Sequence, residues 1–186
     1  MEYRNKVFGS DEFKDIQKEI IDMEESETVF MMRMGDNVTS EDGGGNTRYN
    51  KDTKQIDLNI SERGEFTEMQ KVAHEMKHGS QFLEGKIGFK YDGTPDGILN
   101  DYQDEAEAYK RGNRFSGRNG KFLSDEDIYN RIRSGAYKYD YSLKNTTLRT
   151  IPENSLKDMI KTNNGYMERD GHPKYIYDKW ADDIEN

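Results

Sequence analysis

The sequence predicts an α+β fold, with a small antiparallel or mixed sheet packed on helices. Three observations carry that expectation. An apolar run, "TVFMMRM", combines β-branched and aromatic residues; Ile56, Leu58 and Ile60 alternate with polar neighbours; and several stretches repeat apolar residues at three- and four-residue spacing. At 186 residues and 21.7 kDa the chain is long enough to bury a core and suits one domain, 1–186. No internal repeat or linker divides it.

Taken in order, Ser10 to Met23 place Phe13, Ile16, Ile20 and Met23 on one helical face behind a capping serine and an acidic first turn. Thr28 to Met34 reads as a buried strand ended by Gly35 and Asp36. "SEDGGGN" follows as a flexible loop, whose "EDGGG" is an exposed linker or a flap. Thr47 to Ile60 predicts a hairpin turning at "NKDTK". From Phe66 to Leu83, Met69, Val72, Met76 and Leu83 keep helical spacing, and Gly85 is a natural stop. A loop to Gly97 leads to a second helix at Ile98 to Lys110, rich in helix formers. Beyond a glycine-rich connector, Ser124 and Asp127 cap "DEDIYNRIRS". Asn154 to Lys161 reads as a further short helix, and a tyrosine-rich tail from Asn163 carries Trp180 as its anchor.

Composition narrows the function. With 35% charged residues, a mean hydropathy of -1.15 and a net charge of -9, the chain lacks the basic face that phosphate backbones require. No apolar run could span a bilayer, and the first residues hold no hydrophobic secretion segment. A soluble protein is expected, cytoplasmic or exported by a non-classical route, with neither nucleic acid nor membrane as partner. There is no cysteine, so any metal must be held by His, Asp or Glu.

"HEMKH", His74 to His78, holds two of only three histidines, four residues apart on the predicted helix. Residues at that spacing share a face, so both imidazoles can converge on one metal ion. Glu75 is rotated by about 100° from His74, which puts its carboxylate beside the metal rather than on it. An ordinary polar helix turn is the competing reading, and the pairing of the histidines in helix phase argues against it. A third ligand is needed. The extended H-E-x-x-H-x-x-G-x-x-H signature would want glycine at position 81 and histidine at 84, where the chain has Gln81 and Glu84. His172 stands alone before Pro173, whereas "DEAEAY", Asp104 to Tyr109, offers several carboxylates on the second helix. Glu105 and Glu107 lie on nearly opposite faces at about 100° per residue, so only one can reach the metal. Asp104 could take a ligand histidine's free ring N–H, or could simply favour its helix N-terminus.

"HEMKH" followed by a helical "AEAY" resembles the gluzincin class of zinc metallopeptidases, to which thermolysin and the lethal-factor peptidase domain belong. Together, "HE-x-x-H-x-x-Q-F-x-x-G" and "D-E-x-E-A-Y" also resemble small bacterial peptidase domains of polymorphic toxins and secreted effectors. The likeness covers about Phe66 to Gly112, and the chain departs from thermolysin's own pattern around the third ligand. It implies a minimal zincin-like domain whose Zn²⁺ is bound by His74, His78 and Glu107. It implies hydrolysis of peptide bonds by Glu75-assisted attack of a zinc-bound water. Gluzincins supply an oxyanion donor from a later segment, which points to His172, with Tyr166, Tyr175 and Tyr177 near it. The strand at Gln55 to Ile60, or its hairpin partner, would align an extended peptide along a sheet edge. Partners are then a protein or peptide substrate and, for a toxin, an immunity protein or inhibitor. A non-catalytic zinc module of the same fold would bind metal without turnover.

Overall fold

Helical structure begins earlier than the periodicity predicts. The structure is a computed structural model that describes residues 2–35, 44–50, 52–89 and 102–134. A short first helix, α1 (Glu2–Phe8), buries Tyr3 and Val7. Its two buried positions are too few for a period to stand out. Ser10 then caps as expected, its Oγ accepting from the Glu12 N–H at 3.2 Å. A 3-10 turn, Asp11–Phe13, runs into α2 (Lys14–Glu25), which buries Ile16, Ile20 and Met23. Gln17 Nε2 donates to the Val7 and Ser10 carbonyls at 2.9 and 3.0 Å, which fixes the elbow between the helices.

Three strands follow: β1 (Phe30–Met34), β2 (Gly45–Asn50) and β3 (Gln55–Ile60). They form a mixed sheet in the order β1-β3-β2, with β1 parallel and β2 antiparallel to β3. The expected hairpin is present, its register running from Gly45 opposite Ile60 to Asn50 opposite Gln55. Asn50 Oδ1 accepts from the Asp52 and Thr53 N–H groups at 3.1 and 3.2 Å and so holds the turn. Two expectations are corrected here. The apolar β1 is not a buried strand: Met31, Met32 and Met34 are exposed, because β1 is an outer strand of the sheet. The "GGG" stretch is not all loop either, since Gly45 and Asn46 already belong to β2; residues 36–43 lie outside the described residues.

β3 is central and buried along its whole length, so of the hairpin strands only β2 offers a sheet edge. Its Ile56, Leu58 and Ile60 share one face with Thr47 of β2 and Phe30 of β1. Helix α3 (Glu68–Leu83) packs on β2 and β3. Thr67 and Gln70 start it with a reciprocal capping box, and Gln70 Nε2 also donates to the Lys121 carbonyl at 2.8 Å. α1, α2 and α3 close a core of Tyr3, Val7, Phe13, Ile16, Ile20, Met23, Val72 and Ala73 with Ile60 and Phe115.

α4 (Tyr102–Asn113) lies along α3, and α5 (Asp125–Ser134) packs on α4 through Ala106, Leu123, Ile128 and Ile132. The Ser124–Asp127 cap forms as predicted, with Ser124 Oγ accepting from the Asp127 N–H at 3.1 Å. The expected helix at Asn154 to Lys161 and the tail with Trp180 lie outside the described residues. No described helix is long and apolar enough to cross a membrane.

Candidate metal centre

His74 and His78 stand one turn apart on α3, and their Nε2 atoms face each other at 3.2 Å. α4 brings Glu105 onto them: Glu105 Oε1 lies 3.4 Å from His74 Nε2, and Oε2 lies 3.1 Å from His78 Nε2. One donor atom from each of the three residues falls within 4.8 Å of the others. His78 and Glu105 are buried, and His74 is nearly so.

The third carboxylate is thus Glu105, and not Glu107 as the "E-A-Y" likeness implied. Ala108 is fully buried, and a side-chain carbon on Gly112 would meet the Gln70 carbonyl at 3.2 Å. Glu105, Ala108 and Gly112 follow helical spacing, so the face of α4 with room for close approach to α3 is the one that carries Glu105. Glu107 points to the flank. Its Oε2 accepts from Gln81 Nε2 at 3.3 Å and lies 3.9 Å from Lys77 Nζ and 3.7 Å from Lys86 Nζ.

The donor set fits a zinc ion. Two imidazole nitrogens and a carboxylate oxygen are borderline-hard donors of the kind that hold catalytic zinc with a position left open. Two ring nitrogens at 3.2 Å need a proton or a cation between them. Among the described residues Glu105 Oε1 is buried with no hydrogen-bond partner, although an unsatisfied buried carboxylate oxygen is costly.

Electrostatics of the protein alone agree with this geometry. Burial works against a charge on His78, yet the hydrogen bond and negative charge of Glu105 outweigh it and raise the imidazole to about 9. Burial also opposes ionisation of Glu105, but the two histidines hold its carboxyl far below the ordinary range. Without metal, Glu105 holds a proton on His78, and a metal ion would have to take that proton's place.

Behind the histidines sits a residue with a role that the sequence reading did not assign. His78 Nδ1 is 2.8 Å from Gln81 Oε1, so the ring N–H donates there and Nε2 faces His74 and Glu105. Gln81 is fully buried, and its Nε2 donates to the Asp104 carbonyl at 2.9 Å. Gln81 therefore fills the orienting role considered for Asp104 and also ties α3 to the turn of α4 that carries Glu105. Its position one turn after His78 was the available signal. His74 packs edge-on against the Tyr109 ring, with centroids 4.7 Å apart, and Tyr109 Oη accepts from Arg131 Nε at 3.2 Å.

Glu75 lies beside the cluster, as its helix phase predicts, with Oε1 4.0 Å from His74 Nε2. It is almost wholly buried, and burial raises its carboxyl against the pull of both histidines and of Thr47, whose Oγ1 donates to Glu75 Oε2 at 2.8 Å. Glu84 ends α3 away from the centre, paired with Lys86 at 2.7 Å. His172 and the tyrosines at 166, 175 and 177 lie outside the described residues. No protein-family model, curated protein or solved structure matches the chain.

Proposed function

We propose that this protein is a zinc-dependent metallopeptidase in which His74, His78 and Glu105 hold the metal and Glu75 is the general base. The observation that carries the reading is the convergence of two helix-borne histidines and a buried, half-partnered glutamate, with a second buried carboxylate against them. Zinc, when bound, would supply a Lewis acid that acidifies a water molecule and polarises a scissile carbonyl.

The chain's own groups do the rest. Glu75 takes a proton from the attacking water and returns it to the leaving amine, a role that suits a buried carboxyl with a raised pKa. Gln81 keeps His78 in one tautomer. β2 runs past Glu75 as an outer strand of the described sheet, a position suited to backbone pairing with an extended peptide. Two carboxylates beside two histidines are more than a structural zinc site needs, which favours turnover over a binding-only module.

The test is metal content followed by cleavage. Protein purified without a histidine tag should carry about one zinc, by analogy with single three-residue catalytic sites, and should cut members of a peptide library. Glu75→Gln should keep the zinc and lose at least about 100-fold of the rate. A zinc-loaded protein with no Glu75-dependent hydrolysis would make the chain a binding module, and failure to take up zinc would end the reading altogether.

A further inference from the structure

Glu75 is gripped by β2 in a way that the metal site alone does not require. Thr47 Oγ1 donates to Glu75 Oε2 at 2.8 Å, and both residues are buried. The same hydroxyl is 3.4 Å from the Glu75 main-chain oxygen, so it sits over the first bonds of the side chain as well as its end. The other carboxylate oxygen meets β2 two residues earlier. A side-chain carbon on Gly45 would fall 2.3 Å from Glu75 Oε1, 2.6 Å from Cγ and 2.7 Å from the carboxyl carbon. Those separations are far inside van der Waals contact, so any residue but glycine at position 45 would displace the carboxylate.

Gly45 and Thr47 are two apart on one strand and therefore face the same side. Their register opposite Ile60 and Leu58 of the central strand fixes them relative to the sheet. One supplies a donor and the other supplies space, each to a different oxygen of the same carboxylate. A structural role for a buried glutamate would be met by the hydrogen bond alone; the cleared volume at Gly45 matters only if Oε1 must stay in a set position.

We propose that Gly45 and Thr47 form a clamp that commits Glu75 Oε2 to the strand and leaves Oε1 as the oxygen that handles the proton. This rests on the metallopeptidase reading and adds to it two positioning residues, neither of which touches the metal. Oε1 is the oxygen 4.0 Å from His74 Nε2, so it is the one turned toward the metal centre. Without the clamp the carboxylate would be able to turn toward a bound metal and serve as a ligand instead of a base.

The experiment compares wild type, Thr47→Val, Thr47→Ser and Gly45→Ala in the full chain, each checked for folding by circular dichroism. Cobalt(II) replaces zinc as the probe, because its visible absorption weakens when a further ligand joins the metal. Thr47→Val and Gly45→Ala should lower that absorption and reduce kcat by about 10–100-fold, the usual cost of losing an outer-shell partner, with KM unchanged. Thr47→Ser restores the hydroxyl and should recover both readouts. Wild-type spectra and kcat in both Thr47→Val and Gly45→Ala would overturn the clamp while leaving the peptidase reading intact. A changed spectrum in a protein that cleaves nothing, even as wild type, would uphold the clamp and sink the peptidase reading. No cobalt uptake by the wild type would overturn both.

Discussion

Glu105 and Glu107 sit two residues apart on one helix, and the difference between them is a difference of neighbours. Glu105 is enclosed with two histidines, while Glu107 is partly exposed among Gln81, Gln103 and two lysines. Glu105→Gln should lower zinc affinity by at least about 10-fold, whereas Glu107→Gln should leave it within about two-fold, because Glu107 touches neither histidine. Competition with a chromophoric chelator measures both, and equal losses would return the third ligand to dispute. Gln81→Leu keeps a similar volume but removes the acceptor that fixes His78. It should weaken zinc binding by about 10–100-fold in the same titration. At this scale the sequence was legible where spacing alone decides: His74, His78 and Glu75 occupy the places that helix phase predicts. The choice between two glutamates was not decided by spacing. It turned on Ala108 and Gly112, small residues whose importance appears only when another helix is packed against them.

Among the elements, α3 and α4 make the broadest helix contact in the described chain, and the centre is built across it. Ala108→Leu would force extra volume into a fully buried position at that contact. It should cost about 1–3 kcal/mol of stability and reduce zinc affinity as Glu105 is pushed outward. Denaturant titration and metal titration of one sample would separate the effects; lost stability with unchanged affinity would show that α4 moves without carrying Glu105 away. Most elements could be read from the chain, because caps and periodicity are local signals. β1 shows the limit. Its "FMMRM" is apolar enough for an interior strand, but apolar character says nothing about what lies beyond a sheet's outer strand. Gly45 shows another limit, since a glycine beside two others reads as loop until the carboxylate it accommodates is known.

The chain combines a net charge of -9 with a modest apolar core, and several ionisable groups among the described residues are drawn into the interior. Tyr3 is one. Burial pushes its phenol from 10.0 up to about 12, with Arg111 pulling the other way. A raised phenol pKa means that Tyr3 contributes its full share of stability below pH 10, and that this share disappears as pH climbs through 12. Its size is up to roughly 2–3 kcal/mol. Melting temperature should therefore fall more steeply above pH 10 in wild type than in Tyr3→Phe, and parallel curves would show that the phenol ionises freely.

The strand order also sets a sequence of events in time. β3 lies between β1 and β2 in space but follows both along the chain, so within the described sheet neither outer strand can pair until β3 has been made. A ribosome adding about 5–20 residues per second leaves β1 without β3 for a second or more, and β2 for a shorter time. "VFMMRM" is then an exposed apolar segment, the kind that chaperones hold and that aggregates when crowded. The helix bearing both histidines emerges only after β3. On the metallopeptidase reading, a nascent chain stopped short of Gln55 would have neither the central strand nor the residues proposed to hold zinc.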